Sequence, residues 1–173
     1  MRIAVIAVVI FVVAFDQGSK AWARTLPTRP AECGVAQLAE QRCAGIPQPV
    51  IEGYWDWELA ENRGAAFSSF AGETAAQVLL ALVAAAALVV IGIMATRTRP
   101  EQRAKRLGLA LVAGGALGNL VDRVRDGSVT DFVRWHVHAH MWPIFNLADA
   151  ALLVGAVVLL SDGVMVRRRT RAA

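Results

Sequence analysis

The sequence predicts an all-α membrane protein: four transmembrane helices with a small extracytoplasmic β-sheet. Three observations carry that expectation. The 173-residue chain is 56% hydrophobic and 18% charged, where soluble domains run at about 45–50% apolar and ~25% charged. Its apolar residues gather in four blocks, and its basic residues cluster beside only some of the block ends. Disorder, a collagen-like repeat and a coiled coil do not fit such a composition. The length suits one compact unit, so residues 1–173 are expected to form a single integral membrane domain. Two cysteines are too few for a disulfide scaffold or a four-cysteine zinc site.

The first block, residues 3–15 behind Arg2, needs its polar flank to complete a span of about 3–22. The second, 75–96, carries no charge and reaches the ~20 apolar residues that a bilayer core requires. The third, 107–121, is uncharged and holds Gly108, Gly114, Gly115 and Gly118; its span is placed at 104–123. The fourth, about 141–160, has Asp149 as its only charge, with the span placed at 142–164. Helices are expected throughout, because lipid cannot satisfy an open strand edge. Loops 23–74 and 124–141 connect the spans on one side. In the first of these, Pro27, Pro30, Pro47 and Pro49 break helix. Tyr54, Trp55 and Trp57, with Gly53 and Gly64 as turn points, suggest a sheet within 50–70.

Charge sets the orientation. Arg2, the linker residues Arg97, Arg99, Arg103, Lys105 and Arg106, and Arg167, Arg168, Arg169 and Arg171 of the tail face only Glu101 and Asp162. The other side carries eight basic and twelve acidic residues. The positive-inside rule then puts both termini and the 97–106 linker in the cytoplasm, with the two long loops outside. All five tryptophans (Trp22, Trp55, Trp57, Trp135, Trp142) lie in or beside those loops, as an interfacial belt would. A pI near 9.8 invites a nucleic-acid partner, but the basic excess sits on one membrane face with no aromatic platform among it. No nucleic acid is expected. Arg2, the apolar run and Ala21-Trp22-Ala23 also fit a cleavable signal peptide. Cleavage would leave three spans and set the linker and tail against the charge rule, so an uncleaved first helix is expected.

Charged groups within spans are costly and presumed functional. Here they collect at the outer helix ends. Asp16 and Lys20 stand at i, i+4; Asn119, Asp122 and Arg123 share a face; Asn146 and Asp149 stand at i, i+3. Asp131 precedes the fourth span, and Asn62 and Arg63 precede Gly64. Ion pairing accounts for Asp16 with Lys20, and for Asp122 with Arg123 or Arg125. Asp131 and Asp149 have no cation of their own at helical spacing, Arg134 beside Asp131 excepted. Two such carboxylates can share one proton, the charged one activating water and the neutral one serving the carbonyl. By spacing alone, capping or packing polarity explains them equally well. Serine and cysteine nucleophiles lack a partner and a G-x-S-x-G turn. The run His136-x-His138-x-His140 could present three ligands on one side of an extended segment and, with Asp131 or Asp149, make a metal hydrolase; H-x-H-x-H alone is a weak signal, and an interfacial loop between Trp135 and Trp142 is the preferred reading. A small helical carrier or channel component is a further class that buried polar residues would suit.

Five motifs occur in order: Asp16-Gln17-Gly18-Ser19-Lys20, Glu61-Asn62-Arg63-Gly64-Ala65-Ala66-Phe67, Gly115-Ala116-Leu117-Gly118-Asn119-Leu120-Val121-Asp122-Arg123, Val129-Thr130-Asp131-Phe132 and Phe145-Asn146-Leu147-Ala148-Asp149. In these the chain resembles lipoprotein signal peptidase, also called signal peptidase II. The resemblance implies an intramembrane aspartic protease of the bacterial inner membrane. Its substrate is a diacylglyceryl-modified prolipoprotein, cut just before the lipidated cysteine. It makes Asp131 and Asp149 the catalytic pair and has Asn62, Asn119, Arg123 and Asn146 line the pocket. Asp16, Lys20 and Asp122 become supporting residues. It also implies a sheet that cradles substrate, a short periplasmic helix, lipid contact, and the cyclic peptide globomycin as inhibitor. No cofactor and no metal are implied, and a monomer is expected. The chain departs from the pattern in a long loop around 27–49, where Cys33 and Cys43 could pair in an oxidising compartment, and in the histidine run.

Overall fold

The computed structural model describes residues 2–28, 45–64, 73–137 and 140–172. Among the described residues, four helices, α1 (Arg2–Ala23), α2 (Glu73–Arg97), α3 (Arg103–Asp126) and α4 (Leu147–Ala172), accompany four strands: β1 (Gln48–Ile51), β2 (Trp55–Asn62), β3 (Val129–Val137) and β4 (His140–Met141). Each helix contains a segment long and apolar enough to cross a membrane, and the strands form one sheet in the order β1-β2-β3-β4. Cys33, Cys43, Ala65, Ala66, Phe67 and His138 lie outside the described residues. The short helix implied by the resemblance is not among the described residues either.

The chain divides into two compact units. One comprises Met1–Asp16, Ala81–Val121 and Leu147–Ala173 and is helical. Ile6, Ile10, Phe11, Leu82, Val83, Val90, Leu153, Val157 and Leu160 are all exposed on its helices. A soluble protein does not carry so much contiguous apolar surface; a bilayer is the solvent that matches it. With no water to drive helices together inside lipid, close packing must hold them. The glycines of α3 supply it. A Cβ at Gly108 would come within 2.7 Å of Leu159 and 3.0 Å of the Gly155 carbonyl oxygen, and one at Gly114 within 2.7 Å of Val12. Half of the apolar window of α3 is buried, against none of that of α2.

The other unit comprises Gln17–Leu80 and Asp122–Asn146 and contains the sheet. β2 and β3 pair antiparallel with Trp55 opposite Trp135, Asp56 opposite Arg134, and Ala60 opposite Asp131, the register shifting between Trp57 and Ala60. Trp57 packs edge-on to Trp22 at 5.1 Å and lies 5.9 Å from Phe132 between ring centroids, tying the end of α1 to the sheet. Gly127, at φ 67°, ends α3 in the left-handed conformation that favours glycine and turns the chain into β3.

Two boundaries differ from the sequence expectation. The sheet extends beyond 50–70 into the segment placed as the outer loop 124–141, because Val129, Thr130, Phe132, Val133, Trp135 and Val137 are strand formers that meet β2. The fourth helix, expected from 142, starts at Leu147. The Trp142 amide donates to the Trp135 carbonyl at 2.9 Å, and the Phe145 amide to the Val133 carbonyl at 3.1 Å. Pro143 offers no amide to either structure. The backbone therefore runs extended along β3 as far as Phe145.

Candidate active site

In the sheet unit, β3 carries Asp131 in a stretch that is buried from Val129 to Val133. The return of the chain along β3 brings Asn146 against it. The Asn146 side-chain amide donates to Asp131 Oδ1 at 2.6 Å, and to the Thr130 carbonyl at 3.3 Å. Both side chains are buried. An amide donor to a carboxylate oxygen fixes the carboxyl plane.

The same unit holds a buried ion cluster centred on Asp122. Lys20 Nζ lies 3.1 Å from Asp122 Oδ2, with both side chains fully buried. Gln17 Nε2 donates to Asp122 Oδ1 at 3.0 Å, and the Thr130 amide to Asp122 Oδ2 at 3.1 Å. Arg24 reaches Asp126 at 3.0 Å and the Thr130 hydroxyl at 2.8 Å. Asp122 thus joins α1, α3 and the start of β3. Arg125 lies 4.0 Å from Asp122, the local pairing the spacing suggested, while the short contact is with Lys20, 102 residues away in the chain. Gln17, Arg24 and Thr130 were not singled out as site residues from the sequence. Gln17 and Thr130 stand inside two of the motifs, whereas Arg24 has no local signal.

Asn62 ends β2 and is exposed; its Oδ1 accepts the Gly64 amide at 2.9 Å. Glu61, beside it, accepts the Ser128 hydroxyl at 3.0 Å. Arg123 lies in the last turn of α3. Of the histidine run, His136 Nε2 sits 3.0 Å from Asp56 Oδ2, and His140 is exposed on β4. Among the described residues no three His, Cys, Asp or Glu side chains gather to hold a metal ion.

In the helical unit, Asp149 occupies the first turn of α4 and accepts from Asn119 Nδ2 of α3 at 2.8 Å. Asp16, fully buried at the end of the α1 segment of this unit, accepts the Ala148 amide at 2.9 Å. That amide is one of the orphan donors at the start of α4, and a carboxylate is the natural partner for it. Gly118 makes room for this contact: a Cβ there would stand 2.5 Å from Asp16 Oδ2 and 3.3 Å from the Ala148 side chain. Asp131 and Asp149 belong to different units, and each is held by an asparagine amide.

Residues 8–165 match the family model described as Signal peptidase (SPase) II. The chain belongs to the signal peptidase II family. Both carboxylates, both asparagines and the Asp122 cluster lie within the matched span. A lipoprotein signal peptidase of Xylella fastidiosa is 38% identical over 151 residues, covering 86% of this chain and 80% of its own. One from Xanthomonas campestris pv. campestris is 36% identical over 165 residues, covering 94% and 89%. The fold matches a solved bacterial membrane enzyme with a TM-score of 0.71 and 25% identity, over 91% of this chain and 90% of that one. Signal peptidase II is a family of membrane peptidases, which decides against the carrier or channel class.

Proposed function

We propose that the chain is an intramembrane aspartyl endopeptidase. It removes the signal peptide from diacylglyceryl-modified prolipoproteins, cutting just before the lipidated cysteine, with Asp131 and Asp149 as the catalytic pair. The observation that carries this reading is the matched grip on the two carboxylates. Asn146 donates to Asp131, and Asn119 donates to Asp149. Asn146 also stands three residues before Asp149. Three residues of chain reach at most about 10 Å, so connectivity keeps the second carboxylate close to the group that holds the first.

The two carboxylates share one proton, since ionising both at close range is costly. The charged one takes a proton from water as it attacks the scissile carbonyl. The neutral one hydrogen-bonds the carbonyl oxygen and then protonates it. The carboxyl that took the water proton then delivers it to the leaving amine nitrogen as the C–N bond breaks, and a hydroxyl proton of the intermediate returns to the other carboxylate. The asparagines transfer no proton and hold each carboxyl plane in place. Asn62 and Arg123 hold the substrate backbone, while Asp16, Lys20 and Asp122 keep helix ends and strand in register. Residues 1–173 act as one domain and as a monomer, without cofactor or metal. The charge distribution supports an inner-membrane topology with both termini cytoplasmic and the sheet on the outer face. A lipid-bearing substrate then enters sideways from the bilayer, and globomycin binds in the same cleft.

Processing of a synthetic precursor by the purified chain tests the substrate. The diacylglyceryl form should be cut, with product masses placing the break before the modified cysteine. Equal cleavage of the unlipidated form would refute the proposed specificity. A chelator should leave the rate unchanged; loss of activity would favour the metal hydrolase.

A further inference from the structure

At the basic end of the helical unit, two cavities lie side by side. One, of about 360 Å³, is lined by Ala4, Val5 and Val8 of α1, by Pro100, and by Arg103, Arg106, Leu107 and Ala110 around the start of α3. The other, of about 190 Å³, is lined by Val5, Ile6, Ala95, Thr96 and Arg106. They share Val5 and Arg106, so together they make a cleft bordered by the first turns of α1, the last turn of α2 and the first turns of α3. Its combined size is that of a small-molecule site, roughly 300–1,000 Å³.

We propose that this cleft binds one anionic glycerophospholipid. The lining is apolar apart from two guanidinium groups and the Thr96 hydroxyl, and no acidic side chain is part of it. Arg103 and Arg106 lie one turn apart on α3 and both border the larger cavity, where a phosphate would receive charge-assisted hydrogen bonds. Val5, Val8, Leu107 and Ala110 continue from that level as a track for an acyl chain. Acyl chains gain little by leaving lipid for an apolar cleft, so the headgroup provides selectivity. Cationic pockets between helix ends are suited to that task. A positively charged peptide segment would be repelled by the same arginines.

The test compares the intact protein with matched-chain phosphatidylglycerol and phosphatidylcholine. Native mass spectrometry from detergent reads retained lipid, and a thermal melt in nanodiscs of each composition reads stabilisation. The wild type should retain one phosphatidylglycerol in preference and melt higher in its presence. The double variant Arg103→Gln/Arg106→Gln should lose the preference by about tenfold or more, at roughly fivefold per cation near a membrane surface. Val5→Trp, which fills the shared wall while keeping both arginines, should lose retention too. Glycerol phosphate alone should not raise the melting temperature. Equal retention of the two lipids by the wild type would overturn the proposal. So would undiminished preference in either the double variant or Val5→Trp, which would reduce the effect to a diffuse attraction of charges.

Discussion

The proposed mechanism needs a carboxylate that is held still, and Asn146 and Asn119 each donate a hydrogen bond to one of the proposed pair. Removing one strips its carboxyl of a charge-assisted hydrogen bond worth about 1.5–3 kcal/mol. Asn146→Ala and Asn119→Ala should each lower kcat by roughly 10–100-fold with little change in KM, as measured with a diacylated precursor. A change in KM alone would assign them to substrate binding instead. Lys20→Met addresses a different kind of residue. It strands the Asp122 carboxylate in a fully buried setting and should cost about 3–5 kcal/mol of stability, seen as a lower melting temperature in detergent; an unchanged melt would show that Asp122 is sustained by Gln17, Thr130 and Arg24. At this scale the sequence disclosed which residues were out of place in lipid, because charge in an apolar run is visible locally. It could not disclose their distant partners. Lys20 stands at i+4 from Asp16, while its contact with Asp122, at 3.1 Å, depends on how α1 and α3 come together.

Helix α3 does most of the organising among the elements. Its glycines face Leu159, Gly155, Ala148 and Leu152 of α4, and Val12 and Asp16 of α1. All of these are contacts between helices, as close packing in lipid requires. Gly118→Leu would drive a side chain into the Asp16 carboxylate that caps α4. Overpacking of this kind costs typically 1–3 kcal/mol, and the displaced first turn of α4 carries Asp149. Activity should therefore fall further than the melting temperature alone explains; normal activity would mean that the Asp16 contact is dispensable. The four helices were legible because their apolar blocks are long and their charges are few. The sheet was half legible. Val50 onward showed strand formers and turn glycines, but β3 read as a loop beside a helix end, since its partner in β2 lies some seventy residues earlier. The start of the fourth span was misjudged because Met141 and Trp142 are apolar enough for a span, yet Met141 pairs with His136 and the Trp142 amide donates to the Trp135 carbonyl of β3.

Across the whole chain, hydrophobic exterior and charge asymmetry describe a protein built for two solvents. A single cysteine at residue 99 or 101, in the linker, should be shielded from an impermeant thiol reagent in intact cells. One at residue 135 or 142 should react, after Cys33 and Cys43 are replaced by serine. The reverse pattern would invert the proposed topology. The decisive question is whether Asp131 and Asp149, from separate units of the fold, act together on one peptide bond. In vitro processing of a diacylated precursor by Asp131→Asn and Asp149→Asn, each shown to melt like the wild type, answers it most directly. Each variant should lose about 10²–10⁴-fold in rate, and the double variant should be no slower than either. Cleavage at the wild-type rate by either one would contradict the pairing.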